Sequence, residues 1–136
     1  MELDSRDLEL VAAAEKVMAD TYRPFWHTVA AALRTADGRI WTGVHLGAAV
    51  GRMSVCAEAV ALGRAILEGQ GPVVAAVAVR HPKPEEESRA IAVVAPCGAC
   101  REMFLDHAPD AWVIVPGPNG LEKLRVPELL PAPYRR

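Results

Sequence analysis

Hydrophobic positions near the start of the chain indicate a helix. Residues 5–20 carry apolar side chains at loosely helical spacing, with Asp4 or Ser5 in position to cap the first turn. Pro24 lies just beyond this segment, where its ring cannot continue a helix. We therefore expect one amphipathic helix before the first strand.

The next hydrophobic segments have the composition of strands. Residues 29–33 and 39–46 are separated by an Asp-Gly dipeptide at 37–38, a hairpin turn signal, so we expect two antiparallel neighbours. Residues 73–79 are almost wholly apolar, which is typical of a strand covered on both faces. This strand is expected at the centre of the sheet.

The rest of the chain alternates between helical and strand-like segments. A glycine-rich connector at 47–54 leads into a helix over 56–68, and another helix is expected over 97–107. The charged, proline-rich residues 81–89 are interpreted as a surface loop. Short strands complete the pattern at residues 91–94, 112–115 and 124–126.

Composition and charge narrow the classes of function. The chain has 136 residues without an internal repeat, so residues 1–136 are expected to form a single domain. Its net charge is -2 with no basic block, so we expect no polynucleotide partner. No signal peptide is recognisable and no apolar run reaches the roughly 18 residues of a membrane span, so we expect no membrane association. Three cysteines, an odd number, argue against a disulfide framework and for a reducing cytoplasm.

All of the cysteines fall in two segments, each at the start of a predicted helix. Cys97 and Cys100 are three residues apart, which lets both side chains point the same way from a first helical turn, and Cys56 begins the other helix. Three thiolates can hold one zinc ion and leave a fourth position open, as in catalytic zinc sites. Glu58 follows Cys56 by two residues, so it is better placed to move protons than to bind the metal.

Two other interpretations of the cysteines stay open at this point. Cys97 and Cys100 could form a redox pair, although such a pair requires neither Cys56 nor Glu58. A structural zinc usually has a fourth protein ligand. The histidines are the candidates for that ligand: His27, His45, His81 and His107.

The cysteine segments carry a resemblance to a known family. Cys-Ala-Glu at 56–58, followed by Pro-Cys-x-x-Cys-Arg at 96–101, is similar to the zinc site of the cytidine deaminase superfamily. Residues 35–43 resemble the first hairpin of that family, and residues 126–131 with Tyr134 resemble its C-terminal signature. The resemblance implies an α/β fold, a three-layer α-β-α domain with a mixed five-stranded sheet flanked by helices. It also implies one Zn²⁺ per subunit and a homotetramer.

The resemblance further implies the chemistry. The expected reaction is hydrolytic deamination of a free cytosine nucleoside or a related aminopyrimidine, giving the uracil-type product and ammonia, with Glu58 moving the protons. A same-class alternative is a cytosine compound without ribose, such as the antibiotic blasticidin S, or another aminated heterocycle. An alternative from a different class is a zinc-stabilised binding protein that has lost activity.

Several positions depart from the family where contacts with the nucleoside are expected. His45 and Gly47 stand where cytidine deaminases carry an Asn and a Glu that hold the ribose hydroxyls. Because glycine has no side chain to make such a contact, the case for ordinary ribose is weakened. The family's aromatic platform is also replaced. Phe25, Trp26 or His27 could stack on the base, although isolated aromatic residues more often belong to the core.

Other expected contacts come from the backbone and from a neighbouring subunit. The resemblance implies that the amide of Ala57 and the carbonyl of Ala95 contact the polar edge of the pyrimidine. Pro96 biases Ala95 toward an extended conformation, which sets the direction of that carbonyl. Tyr134 matches an aromatic residue that reaches a neighbouring subunit's site in tetrameric relatives; the alternative is that it belongs to a frayed C-terminal tail.

Three thiolates give the zinc cluster a net negative charge, which makes a bound water harder to deprotonate. Relatives with three cysteines often carry an arginine directly after the glutamate, and here that position is Ala59. Arg101 or Arg52 is therefore expected to hydrogen-bond a ligand sulfur, and Arg101 is the preferred candidate.

Overall fold

Helices and strands alternate along the 136 residues, all of which the computed structural model describes. The helices are α1 (Ser5–Thr21), α2 (Ala57–Glu68) and α3 (Gly98–His107). The strands are β1 (Val29–Thr35), β2 (Ile40–Val44), β3 (Val73–Arg80), β4 (Ala92–Val94), β5 (Trp112–Gly117) and β6 (Gly120–Arg125). Two short 3-10 turns cover Gly51–Met53 and Val126–Leu129. None of the helices has the length and apolarity that crossing a membrane requires.

The strands form one mixed sheet with β3 at its centre, as the apolar run predicts. The order is β2-β1-β3-β5-β6, with β4 also paired to β3. β1 is antiparallel to both β2 and β3, whereas β5 runs parallel to β3. Because β1 pairs along the full length of β3, β4 and β5 share the opposite edge: β5 pairs with Ala75 and Ala76, and β4 with residues 78–80. The sheet is thus five strands wide and contains a sixth short strand, β4, which the sequence pattern predicts at 91–94 but which the five-stranded sheet implied by the resemblance does not include.

Helices cover both faces of the sheet. α1 packs Leu10, Ala14 and Met18 into a core cluster with Ala30 and Val77 on one face. On the other face, α2 and α3 pack their buried side chains against the alternate residues of β1 and β3; this second cluster includes Ala31, Leu33, Ala61, Leu62, Ala76 and Phe104. Successive β1 residues therefore point to opposite clusters, as strand geometry requires. The expected three-layer α-β-α architecture is confirmed.

The close approach of α2 to the sheet depends on a glycine in β2. A Cβ atom on Gly43 would lie 2.6 Å from the backbone nitrogen of Ala61 and 2.9 Å from the carbonyl oxygen of Ala57. Only a residue without a side chain allows this packing distance. Gly43 therefore helps to fix the helix that carries the first metal-site residues.

The last strand is longer than the sequence pattern predicts, since β6 begins at Gly120 rather than at residue 124. Its Lys123 is 9% exposed, and the Nζ atom donates to the Asp7 carboxylate at 2.7 Å. A buried lysine is tolerated in a strand when it is paired in this way. The polar residues of β6 do not show the pattern of a strand in the sequence. The burial of Lys123 depends on a partner 116 residues away, which the local sequence does not reveal.

Candidate metal and substrate site

The three cysteine side chains meet where two helices begin. Cys56 is the N-cap residue of α2, Cys97 is the N-cap residue of α3, and Cys100 lies in the first turn of α3. Their sulfur atoms all lie within 4.8 Å of one another, and the Cys56 and Cys97 sulfurs are 3.8 Å apart. The unpaired backbone N–H groups at both helix starts favour negative charge at this point.

The electrostatics of this cluster suit a bound cation. Burial, more than any other effect, raises the pKa of the Cys56 thiol and that of the Cys100 thiol. Burial also acts to raise the pKa of Cys97, but hydrogen bonds from Cys100 and Cys56 outweigh it and leave that pKa lowered. Three crowded thiolates therefore need a positive charge among them, and three sulfurs at this spacing are the donor set that zinc prefers.

No histidine belongs to the cysteine cluster. The fourth protein ligand that a structural zinc usually has is therefore not supplied by an imidazole. All three cysteines are free thiols, so the Cys97 and Cys100 pair is not a disulfide in this structure. The residues present fit a zinc ion held by three sulfurs.

Glu58 lies in the first turn of α2, beside the cluster, and is only 5% exposed. Burial is the main cause that raises the pKa of its carboxyl group above the ordinary value for glutamate. A raised pKa moves a carboxyl group toward the range in which it can both take up and release a proton, which is the property that a general acid and base requires.

A cavity of about 230 Å³ opens onto this cluster. Its walls are mostly apolar, and Glu58 lines it together with Cys56 and Cys97. Ala57 and Ala95, the two residues expected to contact the base through the backbone, also line it. The cavity therefore places an ionisable carboxyl group and candidate metal ligands against one small-molecule space.

His45, which directly follows the last residue of β2, also lines this cavity. The backbone N–H of Thr28 donates to His45 Nδ1 at 2.8 Å, and the Thr28 hydroxyl lies 3.3 Å from the same nitrogen. Burial, followed by the nearby His27 imidazole, lowers the pKa of His45. The ring is therefore held in one orientation and kept neutral.

Residues 4–115 match the family described as the cytidine and deoxycytidylate deaminase zinc-binding region. The chain belongs to this deaminase family. The cytidine deaminase resemblance and the zinc cofactor predicted from the cysteine segments are thereby confirmed.

Similar proteins span nearly the whole chain. It is 44% identical over 134 residues to blasticidin-S deaminase of Bacillus cereus, covering 98% of this chain and 96% of that protein. It is 32% identical over 128 residues to the cytidine deaminase of Halalkalibacterium halodurans, with 92% and 91% covered. The crystal structure of cytidine deaminase from Mycobacterium leprae matches with a TM-score of 0.72 at 27% identity, covering 94% of this chain and 99% of that one.

Membership of the family decides between two of the predicted classes. The chain is a zinc-dependent hydrolytic deaminase that acts on a cytosine-type C–N bond, as predicted. The alternative of an inactive zinc-stabilised binding protein is not favoured.

Several predicted contact residues of the deaminase lie outside the cavity. Phe25 is 59% exposed and has a positive φ of 70°, and it lines a neighbouring space instead. His27 directs its Nδ1 atom to the carbonyl oxygen of His45 at 3.0 Å. Pro96 is buried and does not line the cavity. Tyr134 is 78% exposed on the C-terminal segment, where its backbone N–H donates to the Glu102 carboxylate.

The two arginines expected at the sulfur atoms are also placed elsewhere. Arg101 donates from Nε to the carbonyl oxygen of Pro96 at 2.8 Å and from a terminal nitrogen to that of Leu129 at 2.9 Å. It makes no hydrogen bond to a cysteine, so in this structure it ties the start of α3 to the last 3-10 turn. Arg52 is exposed on the first 3-10 turn.

The cavity also contains residues that the sequence did not single out. Thr28, Ser54 and Val94 line it, and they come from three separate parts of the chain: Thr28 precedes β1, Ser54 precedes α2, and Val94 ends β4. No local motif marks these positions, since their role depends on which loops the fold brings together. Thr28 matters most, because it sets the state of the His45 ring.

Proposed function

We propose that this deaminase releases ammonia from the cytosine base of a free nucleoside-like compound, leaving the uracil-type product. The observation that carries the proposal is the shared cavity: Glu58 and two cysteines of the metal cluster face one small space with the backbone of Ala57 and Ala95. Its volume of about 230 Å³ suits one small molecule, and the sequence carries no basic block for a polynucleotide.

The proposed mechanism divides the work among these residues. Cys56, Cys97 and Cys100 hold the zinc, which when bound supplies the Lewis acidity that makes water nucleophilic near neutral pH. Glu58 takes a proton from the attacking water and delivers it to the ring nitrogen beside the reacting carbon. It then assists the departure of the exocyclic nitrogen as ammonia, so one water is consumed for each ammonia released.

The cavity wall orients the base in this proposal. The Ala57 amide, at the start of α2, has no partner within its own helix and is free to donate to an acceptor on the pyrimidine. The carbonyl of Ala95 is the matching acceptor for a donor on the base. Apolar side chains such as Val29 and Val55 exclude bulk water and strengthen these hydrogen bonds.

The quaternary state and location extend the proposal. We infer a homotetramer in the cytoplasm that acts in nucleoside metabolism, with the exposed Tyr134 of one subunit reaching the site of another. Exposed apolar side chains near the cavity support burial against another subunit; they include Phe25, Trp26, Leu46, Val50 and Met53.

A second candidate substrate is supported by a specific observation. The relative at 44% identity over almost the full chain is a blasticidin-S deaminase. The positions of the expected ribose contacts are His45 and Gly47 here, so a cytosine compound whose sugar is not ribose is a reasonable alternative substrate.

An ammonia-release assay on zinc-loaded protein tests the proposal. The panel is cytidine, deoxycytidine, cytosine, blasticidin S and an aminopurine, with zinc content measured on the same samples. We expect at least one cytosine compound to be deaminated and the aminopurine to be inert. Failure of every cytosine compound with one zinc bound per chain would overturn the proposal. A preference for blasticidin S over cytidine would select the second candidate.

A further inference from the structure

His45 carries its proton on a defined nitrogen. The Thr28 backbone N–H can only donate, so the Nδ1 atom that lies 2.8 Å away must accept. A neutral imidazole with an accepting Nδ1 carries its proton on Nε2. The ring is therefore fixed as a donor at its other end.

The surroundings of His45 hold this arrangement rigidly. Its backbone N–H donates to the Val29 carbonyl oxygen at 2.9 Å, and its own carbonyl oxygen lies 3.0 Å from His27 Nδ1. Nε2 makes no hydrogen bond to a protein atom, and the residue lines the cavity that Glu58 and the metal cluster share. The Nε2–H group is thus the polar group that His45 offers to a ligand there.

Position 47, two residues after His45, cannot carry a side chain that accepts a hydrogen bond from a sugar hydroxyl. A Cβ atom on Gly47 would overlap the Phe25 carbonyl oxygen and would lie 3.2 Å from the Trp26 Cα atom. The Gly47 N–H also donates to the Trp26 carbonyl oxygen at 2.9 Å, which holds the turn at 23–27 against it. This turn fills the space that a side chain at position 47 would need, so no carboxylate can stand there without moving it.

We propose that His45, held by Thr28 with its proton on Nε2, determines which non-base part of the substrate the site accepts. Its Nε2–H group donates one hydrogen bond to an acceptor atom on that part. No carboxylate lies beside it to bind the two hydroxyl groups of a ribose. The selected class is cytosine compounds that present an acceptor next to the base, whether or not they carry the two ring hydroxyls. This inference rests on the proposed deaminase function.

The space next to the His45 cavity is consistent with a site that does not require ribose. A second cavity of about 520 Å³ adjoins the first and shares Thr28, Val29 and Val94 with it. His81 and Lys83, which follow β3, line this second cavity. A substituent larger than a ribose therefore has room to extend past His45.

The first experiment compares cytidine, 2′-deoxycytidine and 2′,3′-dideoxycytidine on the zinc-loaded wild-type protein. A site that pairs a substrate hydroxyl with buried polar groups rejects the analogue without it by roughly 10⁴-fold. Here we expect the three kcat/KM values to agree within about tenfold. All three compounds keep the oxygen atom of the sugar ring, which can accept the hydrogen bond from His45 Nε2. A loss above a thousandfold for the dideoxy compound would overturn the inference while leaving deamination itself established.

A matched pair of variants tests the donor. His45→Asn keeps an acceptor near the Thr28 N–H but is too short to place a donor at the Nε2 position, whereas His45→Gln reaches that position. We expect KM for 2′,3′-dideoxycytidine to rise roughly tenfold in His45→Asn, with kcat little changed, and to recover in large part in His45→Gln. The loss in kcat/KM is expected to be several-fold larger on 2′,3′-dideoxycytidine than on free cytosine, which has no non-base part to accept the hydrogen bond.

Two results would contradict the assignment. One is an equal loss on cytosine and on the nucleoside, since that is what a merely structural role produces. The other is a nitrogen NMR spectrum of the wild-type protein in which Nδ1, rather than Nε2, carries the proton at neutral pH. Inactivity on every compound would instead refute the underlying deaminase proposal.

Discussion

The metal cluster and the corner around His45 face the same cavity, but the sequence specifies them in different ways. The cluster is built from two short motifs, and each motif lies at the start of its own helix. The corner is built from contacts between separate segments, because His45 depends on Thr28 and Gly47 depends on the turn that contains Phe25. The chemistry of the site is thus local in sequence, whereas the recognition of the substrate's non-base part depends on tertiary contacts.

Removing one ligand should give the largest effect and break the first half of this comparison. Cys100 is 2% exposed, so in Cys100→Ser no mobile side chain can replace the lost sulfur. We expect the zinc content to fall from one per chain to near zero and ammonia release to disappear, because zinc held by two sulfurs is bound far more weakly. Elemental analysis and the ammonia assay measure both.

The neighbouring Ala99→Ser is the control, since it adds a hydroxyl at an exposed position of the same helix turn. It should retain both zinc and activity. Stoichiometric zinc in a folded Cys100→Ser protein would mean that Cys100 is not a ligand.

The difference between local and tertiary specification also explains how far the sequence predicts the structure. The apolar run at 73–79 correctly indicates the central strand, because burial on both faces leaves a continuous hydrophobic pattern. Cys56 and Glu58 are predicted together because they belong to one helix start. Thr28 is not, since its contact with His45 joins positions 17 residues apart and needs only a backbone N–H, which any residue except proline provides.

The next effect in size concerns proton transfer. In Glu58→Gln the side chain keeps its shape but loses the ability to carry a proton. General acid and base catalysis is worth about 10²- to 10⁴-fold, so we expect kcat to fall by that factor while zinc binding is kept. Steady-state kinetics with metal analysis checks both statements.

Glu68→Gln makes the same chemical change at the exposed end of α2 and serves as the control. It should match the wild-type kcat. A Glu58→Gln protein with more than about a tenth of the wild-type kcat would exclude Glu58 as the main proton carrier.

Gly47 offers a sharper test of the tertiary half of the comparison. In Gly47→Ala the new Cβ atom meets the Phe25 carbonyl oxygen, which is backbone and cannot swing away. We expect a loss of about 1–3 kcal/mol in the free energy of unfolding, together with a raised KM as the turn at 23–27 moves. Urea unfolding and steady-state kinetics provide the measurements.

Gly51→Ala is the matched control, because a Cβ atom there meets nothing within 4 Å. Its free energy of unfolding should stay within about 0.5 kcal/mol of the wild type. Equal stability of the two variants would show that the turn yields easily, and the contact at Gly47 would then not exclude a side chain.

The smallest expected effect is a change in how stability depends on pH. Burial, and then the His27 imidazole, lower the pKa of His45 in the folded protein, so the unfolded chain takes up a proton at higher pH than the folded chain does. The stability contributed by the neutral ring is complete above the ordinary histidine pKa and is lost as pH falls through and below it. His45→Gln has no such group, so the wild-type urea midpoint should fall more steeply than that of the variant between about pH 7 and pH 5.

Cys56, Cys97 and Glu58 also line the cavity but are common to both proteins, so the difference between the two curves isolates His45. Parallel curves would mean that burial and the His27 imidazole do not lower the pKa of His45 in the folded protein.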